Sequence, residues 1–313
     1  MSKSSLSDPG HIKEVLARHG FHFSKALGQN FLINPGVCPR MAAECGAQAC
    51  KGVIEVGPGI GVLTWELSQV AEKVCAIELD SRLFPVLEET LAGRDNVKLV
   101  PGDVMKLDLN QLIRQEFGGG PVCVCANLPY YITSPVILRL LEEGLPLTSI
   151  TVMVQKEAAQ RLCAAPGERE CGAVSVAVHY RSQPKLLFQV GRGSFLPPPK
   201  VDSAVLRLDL RQEPPVSVAD EDWFSGSPGP PLPSGGRRRP IPSPPLWGSP
   251  SPRWSRPWRP AGAPENVRAE RLTLEQLGGP CQRPAGGRGL QERDKGGTIR
   301  ENPCGRLRKE ELP

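Results

Sequence analysis

Apolar runs of strand length alternate with amphipathic segments of helix length between residues 51 and 210. Runs rich in Val, Ile and Cys and bounded by Gly, Pro or Asp are typical of strands. They occupy residues 52–57, 73–79, 97–103, 122–129, 149–155, 173–181, 184–190 and 203–210. Apolar residues spaced three or four apart predict helices over 62–71, 81–92, 108–117, 135–145 and 156–165.

This alternation is typical of the α/β class and predicts a mostly parallel, doubly wound, Rossmann-like sheet. The connection between the last two predicted strands, 184–190 and 203–210, is short and contains no helix, which favours an antiparallel edge. We assign residues 1–212 to this α/β domain. Residues 213–313 form a separate region, because proline and glycine become dense there.

Length and composition narrow the class of protein. The 313 residues are enough for one large domain and a smaller one. No apolar run is long enough to span a membrane, and the first twenty residues lack the apolar core of a signal peptide. The ten cysteines form no CxxC pair and only four histidines are present, so neither a metal site nor a disulfide frame is predicted. A reducing, cytoplasmic location follows as the expectation.

The formal net charge of +5 suggests nucleic-acid binding, but the charge is unevenly distributed. Residues 225–313 contain 16 Lys and Arg against 8 Asp and Glu, together with 17 of the 34 prolines. Residues 1–224 contain 22 basic against 25 acidic side chains. The basic character therefore belongs to the C-terminal region and not to the predicted α/β domain.

A glycine-rich segment, EVGPGIGVLT (55–64), lies at the first predicted strand-to-helix turn. Open α/β sheets bind ligands at this position, and Gly57, Gly59 and Gly61 would let a ligand approach the backbone closely. The GxGxG spacing differs from the GxGxxG of dinucleotide-binding proteins and from a P-loop. A tight turn without a ligand remains the alternative for this motif taken alone.

Carboxylates end the next two predicted strands. Glu78 in AIELD can accept hydrogen bonds from both hydroxyls of a ribose, and Asp103 in PGDV can accept one from an adenine amine. Each residue alone is also compatible with a helix cap or a solvated turn. Together with the glycine-rich turn they describe a ligand with a ribose and an adenine but no phosphate cradle. S-adenosylmethionine fits that description better than a nicotinamide dinucleotide.

The stretch NLPYYITSP (127–135) ends the fourth predicted strand and should face the same crevice. An exocyclic amine is a poor nucleophile because its lone pair is delocalised into the ring. Carbonyl oxygens that accept hydrogen bonds from its N–H groups would favour a pyramidal nitrogen. Asn127 offers a side-chain carbonyl, the rigid Leu128–Pro129 turn fixes a backbone carbonyl, and Tyr130 can stack on an extruded base. The loop therefore predicts methylation of a planar exocyclic amine.

The order of these motifs resembles the ribosomal RNA small-subunit adenine dimethyltransferases of the KsgA type. The resemblance covers about residues 21–210 and rests on SKALGQNFL, EVGPGIG, IELD, GDV, NLPYYITSP and FLPPPKVDSAV. It implies transfer of two methyl groups from S-adenosylmethionine to each of two adjacent adenosines near the end of small-subunit rRNA. The large-subunit rRNA adenine methyltransferases are similar, but the NLPYYITSP and PPPKVDSAV motifs resemble the small-subunit enzymes more.

The resemblance assigns roles to individual residues of this chain. The expected cofactor-binding residues are Asn30, Leu32, Gly57, Gly59, Glu78, Asp103 and Asn127. The amine-binding loop would be Asn127, Leu128, Pro129 and Tyr130, and Phe195 would pack on the other face of the target base. Lys25, Arg192 and Lys200 are candidate phosphate contacts by residue type, although ordinary surface positions explain them equally well. The implied partner is the pre-ribosomal 30S particle, and the protein is expected to be a monomer.

The C-terminal region departs from the family, whose chains continue into a small helical domain. From Phe224 onward the proline and glycine density is incompatible with helices. Permissive back-translation with a one-base shift yields a helical, family-like string, and the original frame resumes near PENVRAERLTLEQL. We therefore hypothesise that small insertions or deletions in the gene record altered about residues 225–263 and those beyond Gly279. On this hypothesis the chain has impaired activity on pre-ribosomal particles.

Two alternatives from other classes remain open at this point. A non-catalytic RNA-binding ribosome-assembly factor could use the same fold, but the intact cofactor motifs and the intact loop at Asn127 argue against it. A dinucleotide-dependent oxidoreductase lacks its GxGxxG motif and a residue placed for hydride transfer.

Overall fold

Strands and helices make up most of the described chain. The computed structural model describes residues 6–21, 30–213, 215, 259–260, 273 and 281–282. The strands are β1 (Phe31–Leu32), β2 (Val53–Val56), β3 (Val74–Glu78), β4 (Val97–Pro101), β5 (Val122–Asn127), β6 (Leu147–Gln155), β7 (Ser182–Val190), β8 (Phe195–Leu196), β9 (Ser203–Leu210), β10 (Arg259–Pro260) and β11 (Cys281–Gln282). The α-helices are α1 (Pro9–Arg18), α2 (Val37–Glu44), α3 (Val62–Val70), α4 (Phe84–Thr90), α5 (Leu109–Phe117), α6 (Thr133–Glu142), α7 (Lys156–Cys163) and α8 (Ala173–Arg181).

Seven strands form one sheet in the order β4-β3-β2-β5-β6-β9-β7. The five strands β2 to β6 are parallel, and β9 and β7 complete the sheet as an antiparallel edge. The chain proceeds outward from β2 through β3 to β4, then returns to the other side of β2 at β5. That reversal between β2 and β5 is the switch point at which such sheets open a crevice. The predicted fold class and the antiparallel edge are confirmed.

Each face of the sheet packs against its own group of helices. On one face Val53 and Cys123 contact the buried side chains of α1 to α4, and on the other Ile54 and Val124 contact those of α5 to α8. Successive residues of one strand thus enter different cores, as the period of two requires. This two-sided burial explains why β2, β3 and β5 are almost entirely apolar.

The expectation of a strand over 173–181 was wrong, because this segment forms α8. Val174, Val176 and Val178 alternate with smaller residues, which is a strand-like pattern. However, β6 already pairs with β5 and β9, so no strand position is open there. The Ser175 hydroxyl accepts a hydrogen bond from the Gly172 N–H at the start of the helix. Tertiary packing overrides the weak preference of β-branched residues for strands.

The C-terminal region enters the description only at four short places beyond Glu213. Among these, β10 and β11 pair antiparallel, with Arg259 opposite Gln282. The prediction that this region lacks the helical domain of the family falls on residues outside the described ranges. Within those ranges, no helix has the length and apolar character needed to cross a bilayer.

Candidate functional site

One cleft brings together the predicted cofactor-binding and amine-binding residues. It lies where β2, β3, β4 and β5 end at the same edge of the sheet, beside the switch point. Its space of about 1150 Å³ is partly open to solvent. The nominated residues that line it are Asn30, Leu32, Gly57, Gly59, Glu78, Asp103, Asn127, Leu128, Pro129, Tyr130 and Phe195. The motif order along the chain therefore predicted a real spatial cluster.

The glycine-rich turn brings bare backbone to the cleft. Gly57, Gly59 and Gly61 have φ values of 68°, 61° and 87°, which residues with a Cβ rarely adopt. A Cβ on Gly59 would lie 3.2 Å from the Phe31 ring, whereas a Cβ on Gly57 would meet nothing within 4 Å. Gly59 therefore makes a close packing contact, and Gly57 leaves open space against its backbone. That space is what a ligand needs to approach the turn.

Glu78 is held at the end of β3 by backbone donors. Its Oε1 atom accepts a hydrogen bond from the Asp80 N–H at 2.8 Å, and its Oε2 atom accepts a longer one from the Gly59 N–H at 3.4 Å. Burial raises the pKa of Glu78, while these backbone donors oppose the rise. Each carboxylate oxygen keeps a further lone pair for a ligand hydroxyl. The Glu78 side chain is thus fixed in place and can still accept hydrogen bonds from a ligand.

Asp103 has two roles in the structure. Its Oδ1 atom accepts a hydrogen bond from the Met105 N–H at 2.9 Å, which closes the turn after β4. Its Oδ2 atom lies 3.7 Å from the Nζ atom of Lys106, whose side chain is largely exposed. Asp103 therefore closes the turn after β4 and also lies in the cleft wall. The turn thus fixes the carboxylate within the cleft wall.

The loop after β5 presents acceptors at the cleft. The Leu128 N–H donates to the Met153 carbonyl at 3.2 Å, which ties the loop to β6. The Pro129 carbonyl accepts from the Ile132 N–H at 3.2 Å and is thereby occupied. Within the described ranges, neither the Asn127 side chain nor the Leu128 carbonyl has a hydrogen-bond partner. These are the two carbonyl oxygens that the sequence proposed as acceptors for an amine.

Tyr130 is oriented by a hydrogen bond behind the cleft. Its hydroxyl lies 2.8 Å from the Oγ atom of Ser203, a fully buried residue at the start of β9. Burial raises the pKa of the Tyr130 hydroxyl, so this group remains protonated near neutral pH. The next residue, Tyr131, is 56% exposed and also lines the cleft. One aromatic ring is therefore fixed in the wall and a second stands at the mouth.

Phe195 reaches the cleft through a pairing that the sequence did not reveal. The two-residue strands β1 and β8 pair antiparallel, which places Leu32 opposite Phe195 and Phe31 opposite Leu196. The Ile33 N–H extends this ribbon by donating to the Ser194 carbonyl at 2.8 Å. Phe195 is only 2% exposed and belongs to the same core as Leu32. Strands β1 (Phe31–Leu32) and β8 (Phe195–Leu196) thus form one wall.

Sequence reasoning missed Glu55, the acidic residue inside β2. It is 1% exposed, lines the cleft, and its Oε2 atom has no hydrogen-bond partner among the described residues. Burial raises the pKa of Glu55 to about 8. The nearby hydroxyl of Thr64 opposes this rise, and the charge of Glu78 adds to it. A single carboxylate in the apolar run VIEV was the signal available in the sequence.

Comparison with known proteins identifies the family. The family model described as ribosomal RNA adenine dimethylase matches residues 20–226. The ribosomal RNA small subunit methyltransferase A of Geobacillus thermodenitrificans is 47% identical over 220 residues, which cover 70% of this chain and 75% of that protein. The protein of the same name from Clostridioides difficile is 45% identical over 221 residues, covering 70% and 76%. The chain belongs to the ribosomal RNA adenine dimethylase family.

Solved structures agree with this family membership. The crystal structure of the 23S rRNA methyltransferase ErmE superposes with a TM-score of 0.53 at 30% identity, covering 63% of this chain and 77% of that one. A dimethyladenosine transferase from Plasmodium falciparum gives 0.50 at 29% identity, covering 58% and 63%. Both the fold and the family expectation from the sequence are thereby confirmed.

The cleft of this dimethylase fits a cationic adenosine derivative. Its described lining includes three carboxylates, Glu55, Glu78 and Asp103, and no Lys, Arg or His. Open space adjoins the Gly57 backbone, and Glu78 has acceptor capacity left for ribose hydroxyls. These features suit the adenosine and the positively charged sulfonium of S-adenosylmethionine, the methyl donor of the family.

The candidate phosphate contacts lie outside this lining. Arg192 and Lys200 are both exposed, on the loop that leads from β7 through β8 to β9. The Arg192 N–H donates to the Asp202 carboxylate at 2.9 Å, which closes that loop. Lys25 falls on residues outside the described ranges. Arg192 and Lys200 thus lie on the same β7–β9 connection as Phe195. Their roles as phosphate contacts remain predictions.

Proposed function

We propose that this chain is an rRNA adenine dimethyltransferase. It transfers methyl groups from S-adenosylmethionine to the exocyclic N6 amines of two adjacent adenosines near the 3′ end of small-subunit rRNA. The observation that carries the proposal is the loop after β5, where the Asn127 side chain and the Leu128 carbonyl lie at the cleft with no hydrogen-bond partner among the described residues. Family membership and the name shared by the curated relatives support it.

The proposed mechanism is one of positioning. Bound S-adenosylmethionine supplies an electrophilic methyl group on a sulfonium sulfur. The Asn127 side-chain carbonyl and the Leu128 carbonyl accept hydrogen bonds from the N6 N–H groups, which favours a pyramidal nitrogen with its lone pair free to attack. Each methylation replaces one N–H bond by an N–C bond, so the nitrogen loses one proton per turnover. No general base is needed, because the nitrogen becomes acidic once it is methylated.

Two aromatic residues hold the base during this step. Tyr130 stacks on one face of the extruded adenine, with its ring oriented by the hydrogen bond to Ser203. Phe195 packs against the other face from the β8 side of the cleft. Glu78 binds the ribose of the cofactor, Asp103 its adenine amine, and Asn30, Leu32, Gly57 and Gly59 the rest of it. These residue roles are part of the proposal.

Methyl transfer to purified ribosomal subunits tests this function. Small subunits that lack the modification are incubated with the chain and methyl-labelled S-adenosylmethionine, and the modified adenosines are mapped on the rRNA. We expect label on two adjacent adenosines, and its loss with Asn127→Ala. Asn110→Ala, on α5 and outside the cleft lining, serves as the matched control.

Other outcomes of this experiment would replace the proposal. Tight binding to small subunits without label in any preparation would favour a non-catalytic assembly factor. In a parallel incubation with large subunits, label on large-subunit RNA alone would assign the chain to the other rRNA target. Equal label with Asn127→Ala and the parent would remove the loop from the mechanism.

We infer the cellular setting from the same family. The partner is the pre-ribosomal 30S particle, the location is the cytoplasm, and the protein acts as a monomer. Sedimentation of the purified chain, and its cofractionation with small-subunit precursors, test these three statements.

We also propose that residues 1–212 form the complete methyltransferase domain and that 213–313 are a frameshifted remnant of the helical domain. The family match ends at residue 226, close to the point where proline becomes dense. Resequencing the locus tests this directly. An uninterrupted read in the present frame would contradict the idea. If the frame is restored instead, the restored chain should methylate small subunits faster than the chain as given.

A further inference from the structure

Glu55 is the one buried carboxylate of the cleft for which the proposed mechanism has no use. It lies on β2 beside the glycine-rich turn and pairs in register with Ala76 of β3. Its side chain is 1% exposed and lines the cleft, and its Oε2 atom has no hydrogen-bond partner among the described residues. A buried carboxylate that lacks a partner is costly if it is ionised. In the free protein it therefore favours the neutral acid.

Among the described residues, no group around Glu55 is a positive partner for it. Those that face it are Glu78 on β3, Cys38 on α2 and Cys125 on β5, and Glu66 on α3 faces Cys38 in turn. None of these groups is basic. The described lining of the cleft also contains no Lys, Arg or His. Burial together with the field of Glu78 raises the pKa of Glu55 to about 8. Only a cationic ligand in the cleft would reverse this balance.

The two forms of the cofactor differ by one charge. The sulfonium of S-adenosylmethionine is positive, whereas the sulfide of S-adenosylhomocysteine is neutral, and the rest of the molecule is the same. We propose that Glu55 is protonated in the free protein and loses its proton when the cleft takes up the sulfonium cofactor. After methyl transfer the site holds the neutral sulfide product, and Glu55 takes up one proton from solvent again.

This proposal rests on the proposed function and adds a role for a further residue. Glu55 acts on the cofactor through its charge. Its carboxylate is the counterion of the sulfonium when the donor is bound, and its neutral acid form is present when the product is bound. When the donor binds, the Glu55 carboxylic acid releases one proton to solvent, and the resulting carboxylate forms an ion pair with the sulfonium. The pair forms only with the donor, so the site discriminates the donor from the spent product.

Proton release on binding can be measured without any methyl transfer. S-adenosylmethionine and S-adenosylhomocysteine are titrated into the full chain by calorimetry at pH 7, in buffers with small and large ionisation enthalpies. The dependence of the observed enthalpy on buffer gives the protons released. With a pKa of about 8 in the free protein, the parent should release about 0.9 proton with the donor and about zero with the product.

Two variants assign the proton to Glu55. Glu55→Gln is a neutral mimic of the protonated acid and should release no proton with either ligand, while it binds the product as the parent does. Glu66→Gln is the matched control, because Glu66 is buried nearby but does not line the cleft. It should release as many protons as the parent. Between about pH 6 and pH 7 the donor affinity of the parent should rise about tenfold, and that of Glu55→Gln should stay flat.

The outcomes separate this inference from the proposed function. A parent that binds neither ligand overturns both. A parent that binds the donor without proton release, or a Glu55→Gln variant that still releases the proton, overturns the role of Glu55 alone. If Glu55→Gln still releases the proton, Glu78, the other buried carboxylate of the cleft, would be the source of that proton. Retained product binding by Glu55→Gln shows that the variant is folded.

Discussion

Replacing Tyr130 by Phe removes one hydroxyl from the wall of the cleft and leaves the aromatic ring in place. The lost contact is the 2.8 Å hydrogen bond to the fully buried Oγ atom of Ser203. A hydrogen bond of this kind contributes about 1 kcal/mol, and a buried hydroxyl left without its partner costs about 1–3 kcal/mol. We expect Tyr130→Phe to lower the free energy of unfolding by about 1–2 kcal/mol, as measured in urea.

The effect on methyl transfer should depend on the ring and not on the hydroxyl. Tyr130→Phe retains a surface for stacking, so kcat/KM for small subunits should fall by less than about fivefold. Tyr130→Ala removes the stacking surface, which is worth about 1–3 kcal/mol per base, and kcat/KM should fall by about five- to 150-fold. A double-mutant cycle with Ser203→Ala should show a stability coupling of about 1 kcal/mol between the two hydroxyls.

One result would refute this assignment of Tyr130. If Tyr130→Ala loses stability but retains the kcat/KM of the parent, the ring is a packing residue and the target base is held elsewhere. S-adenosylmethionine affinity, measured on the same variants, controls for damage to the rest of the cleft. It should be nearly unchanged in Tyr130→Phe.

Three further predictions follow from the cofactor side of the cleft. Glu78→Gln should weaken S-adenosylmethionine binding in calorimetry by about tenfold to a hundredfold, because a hydrogen bond to a charged group is worth about 1.5–3 kcal/mol. Gly59→Ala should lower the free energy of unfolding by about 1–2 kcal/mol, since φ is 61° and the new Cβ would lie 3.2 Å from the Phe31 ring. Glu55→Gln should leave stability unchanged near pH 4.5 and increasingly exceed the parent toward pH 8, by about 1.4 kcal/mol per pH unit at most.

The sign of the Glu55 prediction comes from linkage between proton binding and folding. The pKa of this carboxyl is about 8 in the folded protein, against 4.5 as its ordinary value. Between these two values the folded state holds a proton that the unfolded state has lost, so stability of the parent falls as pH rises. The amide of Gln does not titrate and escapes this loss. Urea unfolding at several pH values, with Glu66→Gln as control, measures the difference.

Most of the cleft was predictable because strand order and motif order agree. In a parallel sheet the carboxyl ends of the strands meet at one edge, so Gly57, Glu78, Asp103 and Asn127 had to come together once four successive strands were assigned. Each motif alone fitted a turn or a cap, and Asp103 does cap its own turn. Only the four strand ends taken together predicted a cofactor site.

The errors have two physical sources. The segment now known as α8 carries alternating Val residues, and a single sequence cannot show that the neighbouring sheet positions are already filled. The acid Glu55 lies within an apolar strand, where sequence pattern indicates burial but not the missing hydrogen-bond partner. Both depend on what surrounds a residue in space, which local patterns do not encode.

The pairing of β1 with β8 changes how experiments on Phe195 must be interpreted. Leu32, proposed for the cofactor, lies opposite Phe195, proposed for the base, and both are buried in one core. A substitution at Phe195 therefore disturbs the wall that Leu32 also forms. Loss of methylation alone cannot assign Phe195 to the base, because a weaker cofactor site would give the same loss. Only a variant with unchanged S-adenosylmethionine affinity and a raised KM for small subunits separates the two roles.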